Sequence, residues 1–163
     1  MARVLPKKTL RLPLRSVAET QYFAEICASA CFENDAFLLS GSLGSGKTAF
    51  ARFFIRAISD DPPDVASPTF PIVLEYETQK GLLRHYDLYR LKDYEEIFHI
   101  GLEDAMQQGI ILAEWPEIAA SLFPEESVRI VFSHLSEGAR RADVTGPEHV
   151  TAPLRIYAET MKA

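Results

Sequence analysis

The chain has 163 residues, 47% of them apolar and 25% charged, and a formal net charge of −6. That length is enough for one domain, residues 1–163, with a real core, and the composition is that of an ordinary soluble globular protein. The acidic balance argues against a broad nucleic-acid-binding face, and the absence of a run of about 18 apolar residues argues against a helical membrane span.

The opening MARVLPKKTLRLPL lacks the apolar centre of a secretion signal, so a cytoplasmic location is expected. Thr9 to Leu14 alternates loosely and predicts a first strand. Ser16 and Glu19 form an S-x-x-E capping box, which predicts a helix running to about Phe32. The two cysteines, Cys27 and Cys31, lie one turn apart on that helix among Phe23, Ile26 and Ala30. Buried, reduced thiols are expected, because a C-x-x-x-C pair without further ligands nearby is not a zinc pattern.

Residues 36 to 48, AFLLSGSLGSGKT, organise the rest. Ala36 to Leu39 is a short buried-strand signal. Gly41, Ser42, Leu43, Gly44, Ser45, Gly46, Lys47 and Thr48 then fit the Walker A pattern G-x-x-x-x-G-K-[ST]. Phe50, Phe53, Phe54, Ala57 and Ile58 follow at helical spacing. Strand, glycine-rich turn and helix thus come in the order that a phosphate site requires. The glycines let several N–H groups converge, and the helix N-terminus adds unsatisfied donors and a partial positive charge. Lys47 can reach the β- and γ-phosphates of a bound nucleotide, and the Thr48 hydroxyl can hold Mg²⁺.

Asp60-Asp61-Pro62-Pro63 ends that helix. Ser67-Pro68-Thr69 follows in extended chain, and by spacing alone it serves equally as a connector or as a nucleotide-sensing loop. Ile72 to Glu77 and Leu82 to Asp87 predict a hairpin. Asp93 to Phe98 predicts a short capped helix, and Leu102 to Gln107 another helical turn. Gly109 to Glu114 predicts a second apolar strand ending in an acid, the form of a Walker B element. Trp115, the only tryptophan, reads as core packing ahead of a role in the site. Ile118 to Leu122 predicts a further helical turn, and Val128 to Phe132 with Arg140 to Val144 a last strand pair. From Pro147 the tail reads as a terminal helix or as partly loose chain. Asp143-Val144-Thr145-Gly146 spells the D-x-x-G of GTPases, but far past the phosphate loop and without N-K-x-D, so it is set aside. No arginine stands out near the loop; Arg90, or a group supplied in trans, is the expected source of one.

GSLGSGKT, SPTF, HYDLYRL and LAEWP, in this order, resemble the bacterial TsaE (YjeE) family from the N-terminal helix to about Val144. The resemblance implies an α/β fold: a P-loop NTPase-like three-layer sandwich with a mixed central sheet and flanking helices. It implies an ATPase that helps to make N6-threonylcarbamoyladenosine, the base beside the anticodon of tRNAs reading ANN codons. Family members bind the TsaB–TsaD complex and hydrolyse ATP rather than transferring the carbamoyl group. The Mg²⁺ roles fall on Thr48 and Asp87, with Glu114 completing the site, and Ser67 and Thr69 fall in a switch-like loop. The catalytic set is then Lys47, Asp87 and Glu114. Ser42 stands where relatives often carry an acid, and Phe70 replaces a frequent tyrosine. Two rival readings remain: a small nucleotide or metabolite kinase, and a non-catalytic module that binds nucleotide only to change its contacts.

Overall fold

The computed structural model describes residues 7–68 and 71–163. The first six residues, Thr69 and Phe70 lie outside it, and with them the start of the N-terminal reading and the expected role of Thr69.

Strand alternation decides the layering. In Ala36–Gly41 (β2), Phe37 and Leu39 enter one buried cluster while Ala36 and Leu38 enter another. Ile110–Glu114 (β5) repeats the pattern, Ile110 and Leu112 against Ile111 and Ala113. Strands that are apolar on both faces need cover on both. On the first face lie the helices Val17–Ala30 (α1), Lys47–Ala57 (α2) and Glu148–Thr160 (α5), which contribute Phe23, Phe50, Phe54, Val150 and Leu154. On the second lie Tyr94–His99 (α3), Leu102–Ala105 (α4) and the 3₁₀ segment Pro116–Leu122, which contribute Ile97, Leu102 and Ala119. This is the three-layer α/β sandwich expected.

The remaining strands are Leu10–Leu14 (β1), Val73–Thr78 (β3), Gly81–Asp87 (β4), Val128–Ser136 (β6) and Ala139–Thr145 (β7). Sheet order is β1-β7-β6-β2-β5-β4-β3. The central run β6-β2-β5-β4 is parallel, and β7, β1 and β3 join antiparallel at the two sides. The tail resolves into α5. Asp143 of the discounted D-x-x-G lies within β7, paired with Val131 and Arg11.

The Ser16 hydroxyl caps α1 by accepting from the Glu19 amide at 3.1 Å. The reciprocal bond shifts by one residue: the Arg15 amide, not that of Ser16, donates to Glu19 at 2.6 Å. The helix stops at Ala30, sooner than the sequence suggests. Its last turn carries no basic residue of its own. Instead Lys80, in the β3–β4 turn, donates to the carbonyls of Ala28, Ser29 and Cys31 at 2.9, 2.6 and 2.8 Å. No helix among the described residues is long and apolar enough to cross a membrane.

Candidate nucleotide site

β2 ends in the glycine loop, and α2 starts at Lys47. The loop needs its glycines. Gly41 has φ +139°, and a Cβ there would meet the Phe132 carbonyl oxygen at 2.5 Å and the Ser45 hydroxyl at 2.6 Å. Gly46 has φ +114°, a value that side chains rarely adopt.

Lys47 is almost fully buried and folded back on its own loop. Its ammonium donates to the Gly41 and Ser42 carbonyls at 2.7 and 2.8 Å. Burial pushes its pKa below the ordinary lysine value, opposed by the nearby charges of Glu114, Glu117 and Asp87. Incoming phosphate would offer a stronger partner than two carbonyls and would favour the charged form against the effect of burial.

The two acids meet this loop through register. β4 and β5 are parallel neighbours, with Leu83 beside Ile110, His85 beside Leu112 and Asp87 beside Glu114. Alternation sets Leu83, His85 and Asp87 on one face of β4, and Leu83 belongs to the cluster covered by α1 and α2. Both carboxylates therefore emerge at the C-terminal strand ends, on the side from which α2 rises. Both are buried, 8% exposed for Asp87 and 2% for Glu114. One Asp87 oxygen accepts from the Tyr89 amide at 3.1 Å. Glu114 Oε1 stands 3.5 Å from His85 Nε2, yet neither it nor either His85 ring nitrogen has a hydrogen-bond partner.

A cavity of about 330 Å³ joins these parts. Of the expected residues, Leu43, Gly44, Ser45, Gly46, Lys47, Thr48, Ser67, Asp87 and Glu114 line it, while Gly41 and Ser42 act behind it as acceptors for Lys47. Ser67 is kept near by Arg52 of α2, whose Nε donates to the Val65 carbonyl at 2.9 Å.

Two expectations need correction. Trp115 is not core packing. It follows Glu114 with φ 56°, a left-handed turn that an L-residue adopts at a cost of roughly 1–2 kcal/mol. Its ring lies 4.1 Å from the Lys47 ammonium and 4.8 Å from the ring of Tyr89, and it lines the cavity. An arginine is also present at the loop after all. It is Arg140 of β7, whose Nη2 donates to the Gly44 carbonyl at 3.1 Å, whereas Arg90 is exposed in the turn after β4 and does not line the cavity. Arg140 carried no signal in the sequence, because only sheet order brings β7 near the loop. His85 did carry one: two residues before Asp87 in a strand means the same face.

Comparison with known proteins shows the family and the fold. Residues 14–142 match the family model described as threonylcarbamoyl adenosine biosynthesis protein TsaE. The chain belongs to the TsaE family. Curated relatives named tRNA threonylcarbamoyladenosine biosynthesis protein TsaE include one from Rickettsia felis, 37% identical, the match covering 82% of this chain and 78% of that one. Another, from Bacillus subtilis, is 33% identical over 78% and 79% of the two chains. The crystal structure of Bacillus subtilis YdiB superposes with a TM-score of 0.68, covering 96% of this chain and 98% of that chain at 24% identity, which extends the likeness of fold to nearly the whole molecule.

The residues of this site also fit a Mg²⁺ ion beside a bound phosphate. Among the described residues no three His, Cys, Asp or Glu side chains form a protein-only metal cage. Mg²⁺ keeps several waters and takes one or two carboxylates together with phosphate oxygens. A threonine hydroxyl at the start of α2, two buried acids and an unpartnered Glu114 oxygen suit that habit.

Proposed function

We propose that this chain, acting as a single P-loop domain over residues 1–163, is a Mg²⁺-dependent ATPase of tRNA N6-threonylcarbamoyladenosine biosynthesis that works in the cytoplasm with a TsaB–TsaD complex. The observation that carries the ATPase reading is the in-register pair Asp87 and Glu114, buried at adjacent strand ends beside a glycine loop whose buried lysine folds back onto the loop's own carbonyls. The pathway comes from the family and from the names of its relatives; the partner is what the resemblance to that family implies.

When bound, Mg²⁺ would be held by Thr48 and Asp87 and would offset the negative charge that develops on the transferred phosphoryl group. The chain's own residues do the rest. Amides of Gly44, Gly46, Lys47 and Thr48 face the phosphates, and the Lys47 ammonium exchanges the Gly41 and Ser42 carbonyls for phosphate oxygen. Thr48 and Asp87 hold the metal, and Glu114 supports it or orients the attacking water. Ser67, which lines the cavity, faces the phosphates from the connector, and the Trp115 ring shields the lysine from bulk water.

Phosphoryl transfer depends on positioning and electrostatics. Asp87→Ala and Glu114→Ala should therefore fold, by circular dichroism, and lose hydrolysis by at least about 10²-fold. Unchanged turnover in both would remove the metal-site assignment. Mg²⁺ titrations of the two variants separate metal support from water orientation. Hydrolysis by the isolated chain should be slow and should rise with TsaB–TsaD, since an arginine supplied in trans is typically worth about 10³–10⁵ in rate. Full turnover without the partner would refute that dependence. Transfer to a nucleoside monophosphate would establish the kinase reading instead, and tight ADP binding without phosphate release, partners included, would make the chain a non-catalytic switch.

A further inference from the structure

Arg140 is the second residue of β7, set by register beside His134 of β6 and Leu14 of β1. Its side chain reaches across β6 to the phosphate loop. One of its five N–H donors is used on the Gly44 carbonyl, at 3.1 Å. Its Nε is buried without a hydrogen-bond partner. Its stem lies against Gly46: a Cβ built there would meet Cδ at 3.2 Å and Nε at 3.5 Å. Glycine at that position gives the loop its turn and also leaves room for the arginine.

Charge gives the arrangement a purpose. Among the described residues lining the cavity, Lys47 and Arg140 are the basic side chains, and Asp87 and Glu114 the acidic ones. With Lys47 alone the lining would be net acidic, a poor host for a polyphosphate. Position then decides which phosphate Arg140 meets. The loop follows β2; the acids come from β5 and β4 on one side of it, and Arg140 comes from β7, past β6, on the other. The terminal phosphate and its metal belong with the acids. A phosphate chain laid along the loop therefore runs its inner end toward Arg140.

We propose that Arg140 is a nucleotide-binding residue that grips the inner, α-phosphate end of the bound polyphosphate. Its unused donors make a planar fork suited to phosphate oxygens. The proposal rests on the ATP-site reading above. The alternative is that Arg140 only props the loop through the Gly44 carbonyl.

Isothermal titration of the full chain with Mg²⁺-ADP separates these. Arg140→Gln keeps an amide donor for the Gly44 carbonyl but loses the charge, and Arg140→Lys keeps the charge but loses the fork. Thermal melts confirm that each variant is folded. The expected result is ADP binding weakened tenfold or more in Arg140→Gln and partly restored in Arg140→Lys. Near-native affinity in Arg140→Gln would overturn the proposal in favour of the prop. So would a loss of turnover with ADP affinity intact, which would put Arg140 at the terminal phosphate. If the unsubstituted chain binds no ADP, the nucleotide reading itself fails, and that result is visible before any variant is compared.

Discussion

At the scale of single residues, Trp115 shows how a backbone angle redirects a side chain. Its left-handed turn takes the indole out of the apolar layer and sets it beside the Lys47 ammonium. A cation over an indole face is worth about 0.5–2 kcal/mol. As the only tryptophan, its emission reports the site alone. ADP should draw the ammonium from the ring and change that emission, and Lys47→Ala should abolish the ADP-dependent change; a fluorescence titration checks both. The thiols give a second test. Cys27 and Cys31 are both free and buried. Burial, the largest cause, raises the pKa of both; that of Cys31 goes from an ordinary 9.0 to about 11, with Lys80 opposing. The folded chain thus keeps a proton that the unfolded chain releases from pH 9 upward, so stability falls as pH rises from 9 to 11, by on the order of 2 kcal/mol. Urea melts across that range should show the decline, and Cys31→Ala should remove the part due to Cys31 while Cys27, also raised by burial, leaves a remainder. A thiol reagent at pH 8 should label neither cysteine until the protein is unfolded.

At the scale of elements, α1 depends on a residue far from it in the chain. A helix C-terminus leaves carbonyls unpaired and favours a nearby cation. With no basic residue in its last turn, α1 takes Lys80 from the β3–β4 turn, on three carbonyl oxygens. Lys80→Ala should cost about 1–2 kcal/mol, read as a fall in the urea midpoint, while Lys80→Met, which keeps the stem, should lose nearly as much if the ammonium is what matters. The strands, by contrast, are locally specified. β2 and β5 show their two-sided burial in consecutive residues, and Asp87 and Glu114 stand where each apolar run stops. That is why both acids could be placed at strand ends from the sequence, although by spacing alone Asp87 reads first as a turn residue and its metal role comes from the family resemblance. Arg140 was not: its place depends on β7 pairing with β6 and β6 with β2, and no local pattern encodes sheet order.

At the scale of the molecule, the phosphate loop is braced by a cluster of phenylalanines. Phe50, in the first turns of α2, packs against Phe23 of α1, Phe54 of its own helix and Phe132 of β6, with ring centroids 5.2, 5.9 and 5.7 Å away. Phe50→Ala should cost roughly 3–5 kcal/mol by chemical denaturation. Because the same ring seats the start of α2, nucleotide affinity should fall too; Phe50→Leu, nearer in volume, should recover most of both. The sequence by itself determined the loop, the strands on either side of it, the capped helices and the two terminal acids, since each is written in residues a few positions apart and obeys a helical or alternating period. Only the tertiary structure decided that Asp87 and Glu114 stand in register, that Trp115 faces a lysine, that Lys80 closes α1 and that Arg140 enters the loop. Those pairings join positions distant in the chain, and they are selected by strand order and by the burial of both sheet faces.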